Sequence, residues 1–196
     1  MTVDVGAVER ALAARLSDAA FAHSVRTGDT AADLAEAYGV DVELARVAGL
    51  LHDWDRETTP DELVDSARAA GDVHEVELAQ PKLLHARTGA EGARKAFPHL
   101  PDEVYSAVEK HTIGAVEMSD LDKVVYLADM IEPARDWPGV DELRRCIGEV
   151  SLDQMFFLGY RMSLESLLRR RKRLHPDTVA VWNSLVSKNR AAKSRV

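Results

Sequence analysis

Apolar residues recur along most of this chain at the three- and four-residue spacing of amphipathic helices. No segment sustains the alternation of apolar and polar residues that is typical of a half-buried strand. The pattern predicts an all-α protein in which turns separate successive helices. The expected helices cover about residues 3–16, 18–38, 42–53, 60–70, 81–96, 101–111, 119–131, 140–148, 151–174 and 176–189.

Capping residues and helix breakers predict several of these boundaries. Ser17 and Asp41 precede apolar helical segments as N-caps, and Gly39 ends the helix between them. Pro60, directly after a threonine, is typical of a helix start because proline fits the first helical position. The polar, acidic stretch 71–79 is expected to be a loop.

The length and composition of the chain fit one domain. It has 196 residues, of which 46% are hydrophobic, and this is enough to bury a core. We expect a single domain over residues 1–187, with its core at about 15–150 and C-terminal helices at about 151–187. The basic tail 188–196 is expected to be frayed.

Charge and cysteine content narrow the classes of function. A net charge of -8 argues against a general binder of nucleic acids or membrane surfaces, since both need a positive field. No segment approaches the roughly 18 apolar residues of a membrane span, and the acidic N-terminal segment does not resemble a signal peptide. The single cysteine, Cys146, suits a reducing compartment and is expected to be a small buried apolar residue. We therefore expect a cytoplasmic protein.

Four histidines lie in or beside apolar helical segments, and they are the strongest chemical feature of the sequence. They are His23, His52, His85 and His111, and His52 is followed directly by Asp53. Burying imidazoles and carboxylates without partners is costly, so the cluster requires a cation or a hydrogen-bond network. These ligand types suit iron, manganese, cobalt or zinc. Adjacent residues at a helix end point about 100° apart, so Asp53 can lie between two metals while His52 binds one.

Other residues of chemical interest are expected to have structural roles. His74, His99 and His175 lie in acidic or proline-flanked segments. The sequence contains no convincing Cys-His or Ser-His-Asp arrangement, because the sole cysteine is far from any histidine. The basic run 169–173 is expected to be a solvated helix end, where cations complement the helix dipole.

Several motifs resemble one enzyme superfamily. Six residues are similar to the metal-binding signature of dinuclear HD phosphohydrolases, namely His23, His52, Asp53, His85, His111 and Asp129. Over about residues 15–150, longer motifs resemble the bacterial symmetrical bis(5'-nucleosyl)-tetraphosphatases. These motifs are HSVR at 23–26, LLHDWDRE at 50–57, LLHARTGA at 83–90, HTIG at 111–114 and LDKVVYLADMIEPAR at 121–135.

The resemblance implies a helical-bundle HD domain that hydrolyses diadenosine tetraphosphate symmetrically into two ADP. It also implies two metal ions, divalent or mixed-valence, with Asp53 as a catalytic bridging ligand. Iron is expected, and manganese, cobalt or magnesium are alternatives. One ion would be bound by His23, His52, Asp53 and Asp129, and the other by Asp53, His85 and His111.

Cationic residues beside these ligands are candidates for binding phosphate. Arg26 lies three residues after His23 and shares its helical face. Arg56 stands where relatives usually have lysine, and it offers a planar fork instead of a point charge. We expect Arg26, Arg56 and Arg135 to contact the substrate, with a catalytic role for Arg56. The aromatic residues Tyr105, Tyr126 and Trp137 are expected to belong to the core rather than to a platform for a base.

Two other functions remain open from the sequence. One is an HD phosphohydrolase that acts on mononucleotides or a signalling nucleotide. The other is a non-catalytic nucleotide-binding protein, or a scaffold with structural metals. The expected partner is a dinucleoside polyphosphate substrate, with neither nucleic acid nor membrane. The sequence leaves open whether the chain forms a homodimer and which base it prefers.

Overall fold

A computed structural model describes residues 4–193, and every regular element in that range is helical. The all-α prediction is confirmed. The helices, in chain order, are α1 (Val5–Arg15), α2 (Asp18–Tyr38), α3 (Val42–Leu51), α4 (Pro60–Ala70), α5 (Glu75–Ala79), α6 (His85–Ala96), α7 (Asp102–Lys110), α8 (Asp120–Ile131), α9 (Val140–Arg144), α10 (Leu152–Arg169) and α11 (Pro176–Lys193). A short 3₁₀ helix, Pro81–Leu84, leads directly into α6.

The predicted N-caps are confirmed, because their side chains accept hydrogen bonds from N–H groups that have no partner within the first helical turn. The Ser17 hydroxyl accepts from the Ala20 N–H at 3.4 Å. The Asp41 carboxylate accepts from the Leu44 N–H at 2.9 Å. Gly39 ends α2 in the left-handed conformation, with φ of 72°, which glycine adopts without steric cost.

The segment 71–79 is not the continuous loop that the sequence predicts, because it contains α5. His74 is the N-cap of this helix, and its Nδ1 accepts from the Val76 N–H at 3.1 Å. The Glu77 carboxylate in turn accepts from the His74 N–H at 2.7 Å. The sequence pattern does not reveal this capping, since the preferred N-caps are serine, threonine, aspartate and asparagine.

The helices after residue 140 end earlier than the pattern predicts. α9 stops at Arg144, and beyond it Cys146 is half-buried rather than buried. α10 stops at Arg169 instead of near residue 174. Arg171 adopts a positive φ of 53° in the turn that follows, and this conformation cannot continue a right-handed helix.

The last helix is longer than predicted. α11 continues to Lys193, so the part of the expected frayed tail that the structure describes is helical. Residues 1–3, where the first helix was expected to begin, and residues 194–196 lie outside the described range. Across residues 4–193, no helix combines the length and the apolar character needed to cross a membrane.

Helices α2 and α3 cross in close contact. A Cβ atom at Gly49 would lie 2.9 Å from the Gly28 Cα, and one at Gly28 would lie 3.0 Å from the Arg46 carbonyl oxygen. Backbone atoms fill the space that a larger residue would need, so the two helices touch directly. α7 and α8 pack against this pair, and α6 packs against α7.

Candidate metal centre

The ends of five helices bring the six predicted ligands together. His23 lies in the second turn of α2, and Asp129 lies in the last turn of α8. His52 and Asp53 directly follow α3, whereas His85 begins α6 and His111 directly follows α7. The ligands are thus separated by as many as 106 positions in sequence but meet in one cluster.

Each of the four imidazoles directs its Nδ1 towards an oxygen outside the cluster. Three of them contact the backbone carbonyl of the residue three positions earlier, and a carbonyl can only accept a hydrogen bond. Nδ1 therefore carries the proton, and Nε2 of the neutral ring carries a lone pair. The contacts are His52 to Gly49 at 2.7 Å, His85 to Lys82, His111 to Val108 at 2.7 Å, and His23 to the Glu132 carboxylate at 3.2 Å.

The Nε2 atoms consequently face one another without a proton between them. The distance between the Nε2 atoms of His23 and His52 is 3.2 Å, and that between those of His85 and His111 is 3.1 Å. Two ligand atoms bound about 2.1 Å from one ion lie roughly 3 to 3.5 Å apart. The spacing therefore fits a cation between the members of each pair.

The two carboxylate oxygens of Asp53 face different histidine pairs. Oδ2 lies 3.3 Å from His52 Nε2 and 3.6 Å from His23 Nε2. Oδ1 lies 3.0 Å from His85 Nε2 and 3.7 Å from His111 Nε2. Oδ1 is also buried and accepts no hydrogen bond from any described residue. This orphaned oxygen fits a ligand of a cation held with His85 and His111, so the carboxylate as a whole fits a position between two cations.

Asp129 adds a second carboxylate on the side of His23. Its Oδ1 lies 3.0 Å from His23 Nε2 and 3.7 Å from His52 Nε2. The described residues include two groups whose ligand atoms lie within 4.8 Å of one another and could each hold a metal ion. One group is His23, His52 and Asp129, and the other is His52, Asp53 and His111.

The electrostatics of the cluster favour positive charge. Burial alone would raise the pKa of Asp53, but the attraction between its carboxylate and positive charge at His52 outweighs burial and holds that pKa well below its usual value. The same balance lowers the pKa of Asp129. Burial opposes the charged form of His52, but Asp53 and Asp129 outweigh it and raise the pKa of that ring. Burial and the surrounding imidazoles lower the pKa of His111 to about 3, so His111 is neutral at pH 7.

A comparison with known families identifies this arrangement. The profile of the HD domain matches residues 20–134, which make up more than half of the chain. All six clustered residues lie in this range. The chain belongs to the HD domain family.

Individual HD relatives cover most of the chain. The Bacillus subtilis (strain 168) protein named symmetrical bis(5'-nucleosyl)-tetraphosphatase is 33% identical over 174 residues, which are 88% of this chain and 92% of that protein. A protein of the same name from Halalkalibacterium halodurans is 30% identical over 171 residues, 87% of this chain and 91% of that protein. A solved structure from Clostridium acetobutylicum is described as a predicted HD superfamily hydrolase involved in NAD metabolism. It matches with a TM-score of 0.88 at 30% identity, over 96% of this chain and 100% of that one. The expected HD fold is confirmed.

The structure places the three predicted substrate-binding arginines around the HD cluster. Arg26 donates from Nε to the Glu132 carboxylate at 2.6 Å. Arg135 donates to the carboxylate of Asp129 and, at 2.8 Å, to its backbone carbonyl. The side chain of Arg56 is 45% exposed, and its Nε lies 3.7 Å from Asp53 Oδ2. All three cations therefore lie at the rim of the cluster.

Sequence reasoning missed two residues that contact the ligands. Glu132 is buried and accepts hydrogen bonds from His23, Arg26 and the N–H of Ala134. The Thr112 hydroxyl lies 3.0 Å from His111 Nε2. Glu132 follows Asp129 by three residues, one helical turn, and that spacing could have indicated it.

The other residues singled out from the sequence are mostly structural, as predicted. Tyr105 and Tyr126 are buried in the core, whereas Trp137 is half-buried and lines a cavity. His74 caps α5, and its ring lies 5.2 Å from that of His175. The side chains of the basic run 169–173 are exposed, but most of the run lies beyond the end of α10.

Proposed function

We propose that this chain is a metal-dependent hydrolase that splits diadenosine tetraphosphate into two ADP. The observation that carries the proposal is the convergence of four Nε2 lone pairs on the two oxygens of Asp53. Such an arrangement repels itself unless cations occupy it. The names of the relatives from Bacillus subtilis and Halalkalibacterium halodurans supply the substrate.

The proposal includes two metal ions that share Asp53. Asp53 Oδ2 with His23, His52 and Asp129 would hold one ion, and Asp53 Oδ1 with His85 and His111 would hold the other. Imidazole and carboxylate ligands suit iron, which we favour, as well as manganese or cobalt, and magnesium is a further alternative. Bound ions would supply the Lewis acidity that makes water nucleophilic near neutral pH and polarises the attacked phosphate.

The surrounding residues orient the ligands and neutralise the substrate. Glu132 fixes the ring of His23 by accepting from its Nδ1, and it also holds Arg26. Arg26 uses Nε for this contact, so its terminal nitrogens can donate to phosphate. Arg56 is the most exposed of the three rim arginines and has a planar fork that matches phosphate oxygens. We propose that Arg56 contacts the phosphate under attack.

The position of attack sets the products. In a symmetrical reaction, water forms a new bond to one inner phosphorus, and the bond from that phosphorus to the central bridging oxygen breaks. Each half then carries two phosphates, and both products are ADP. We include a cytoplasmic location in the proposal, as expected from the sequence.

The test is product analysis with protein loaded separately with iron, manganese, cobalt or magnesium. We expect chromatography to show ADP alone at early times, with faster turnover of diadenosine tetraphosphate than of mononucleotides. Asp53→Asn, which keeps the shape of the side chain but loses its charge, is the matched inactive control. AMP with ATP would contradict symmetrical cleavage. Rapid hydrolysis of mononucleotides without turnover of the dinucleotide would favour the alternative HD activity.

A further inference from the structure

A groove extends from the metal centre along α10. It encloses a cavity of about 550 Å³ that begins at Asp129 and Arg135 and runs between the turn around Trp137 and the exposed face of α10. This volume lies within the roughly 300–1,000 Å³ that is usual for small-molecule sites. Because the candidate metal ligand Asp129 lines the groove, a molecule bound at the metals can extend into the groove.

The groove carries an excess of cationic side chains in a chain that is acidic as a whole. The net charge of the chain is -8, yet four arginines line this cavity against three carboxylates, Asp129, Glu142 and Glu165. The arginines are Arg135, Arg161, Arg169 and Arg170. Arg161 and Arg169 are eight residues apart on one face of α10, which spans about 12 Å at the helical rise. In the part of the chain that the structure describes, neither Arg169 nor Arg170 forms an ion pair, whereas Arg161 lies 3.6 Å from Glu165. Two of these charges are therefore free for an anionic ligand.

Trp137 supplies an aromatic wall to the same groove. Its Nε1 donates to the Met130 carbonyl at 2.7 Å, and this hydrogen bond fixes the plane of the indole. A Cβ atom at Gly139 would lie 3.3 Å from the ring, and Gly139 has a positive φ of 105°. Glycine at this position therefore keeps the turn close to the indole. A fixed indole beside arginines suits a nucleobase followed by phosphates.

We call this cavity the arginine groove, and the lining residues that carry the argument are Asp129, Arg135, Trp137, Arg161, Arg169 and Arg170. We propose that it binds the nucleoside diphosphate half that leaves when the dinucleoside tetraphosphate is cut. The phosphates of this half would lie along the arginines, and its base would lie against Trp137. The inference rests on the proposed function and extends it, because a symmetrical substrate needs room for a second nucleotide beyond the metals. It gives Arg169 and Arg170 a binding role that the sequence pattern did not indicate.

The test compares two double variants of the same basic run. Arg169→Ala/Arg170→Ala removes two charges that line the groove, and Lys172→Ala/Arg173→Ala removes two charges that do not. Calorimetry with ADP on metal-loaded protein should show roughly tenfold weaker binding for the first variant, the loss expected for charge-assisted contacts. The control variant should bind ADP as the wild type does. In turnover of diadenosine tetraphosphate, the first variant should raise KM by a similar factor with kcat and metal content nearly unchanged.

Fluorescence tests the aromatic wall independently. ADP should quench part of the tryptophan emission of the wild type, and Trp137→Phe should lose this quenching while it retains most of the affinity. Trp137→Ala should weaken ADP binding further, and its circular dichroism spectrum checks that it folds. Equal ADP affinity in the two double variants, unchanged quenching in Trp137→Phe, or no ADP binding by the wild type would overturn the groove assignment.

Failure of the proposed function has a different signature. A wild-type protein that binds ADP through Arg169 and Arg170 but does not cut diadenosine tetraphosphate would refute the activity and leave the groove standing. Turnover that responds equally to both double variants would refute the groove and leave the activity standing.

Discussion

At the scale of single residues, the metal centre depends on which imidazole nitrogen carries the proton. His52 and His111 each follow the last turn of a helix, where backbone carbonyls lack partners within the helix. Each ring donates Nδ1–H to one of these carbonyls, at Gly49 and Val108, and so presents Nε2 to the cluster. Local helix chemistry thus prepares the lone pairs before any ion binds.

Substitution of Asp53 should affect metal binding more broadly than substitution of any other ligand. Asp53→Ala is expected to lose both metal ions and all turnover, because its two oxygens face the two histidine pairs. His111→Ala should mainly weaken the ion on its own side and leave about half of the metal. Metal quantitation on protein purified without oxygen tests both variants. Full metal content in Asp53→Ala would show that Asp53 does not bridge.

Substitution of Arg56 should lower turnover without changing the metal content. Its side chain is 45% exposed, so it can reach a phosphate, and its Nε contacts Asp53 Oδ2 only at 3.7 Å, which is beyond hydrogen-bond distance. Arg56→Ala should lower kcat/KM by about 10- to 100-fold, the range for loss of a hydrogen bond to a charged group. Arg56→Lys should restore part of the loss. If Arg56→Ala instead empties the metal centre, its role is to hold Asp53.

At the scale of elements, the crossing of α2 and α3 sets the distance between His23 and His52. Gly28 and Gly49 lie in this crossing, where backbone atoms leave no room for a side chain. The aligned glycines allow the two helices to approach until the Nε2 atoms of the two histidines are 3.2 Å apart. Packing of backbone on backbone therefore determines the geometry of the ligands.

Gly28→Ala should damage stability and metal binding together. The added methyl group would meet the Arg46 carbonyl at 3.0 Å and Leu50 Cγ at 2.9 Å, so the helices must separate. We expect a loss of about 1–3 kcal/mol in the free energy of unfolding, as for other overpacked sites. Urea titration and metal quantitation measure the two effects. Glu36→Ala, at an exposed position of the same helix, should change neither; equal behaviour of the two variants would contradict the role of the crossing.

At the scale of the whole molecule, the metals should tie together helices from distant parts of the chain. The ligands come from five elements between α2 and α8, so ions bound in the folded state would stabilise all of them at once. By mass action, an ion at 100 times its dissociation constant adds about 2.7 kcal/mol.

Removal of metal should therefore lower Tm. We expect chelator-treated protein to melt several degrees below the metal-loaded form, and re-addition of metal should restore the difference. Asp53→Ala serves as the control, because its Tm should not respond to metal. A wild-type Tm that is independent of metal would mean that the cluster does not bind ions in the folded state.

The sequence by itself determined most of the elements and the ligand candidates. Capping residues such as Ser17 and Asp41 act on their own helix, and the apolar spacing that places His52 at the end of α3 is also local. Local interactions of this kind involve residues that are close in sequence, so they can be predicted without knowledge of the fold. The sequence pattern failed at α5, where the local cap is an unusual one.

Only the tertiary structure decided how the candidates are used. The division of Asp53 between two histidine pairs, the contact of Glu132 with His23, and the presence of Arg169 and Asp129 in one cavity depend on helices remote in sequence. Directions of side chains across helix crossings follow from close packing of the entire core, in which backbone contacts such as that of Gly28 with Gly49 fix the relative positions of α2 and α3. No local pattern encodes those directions, because each one is set jointly by residues that meet only after folding.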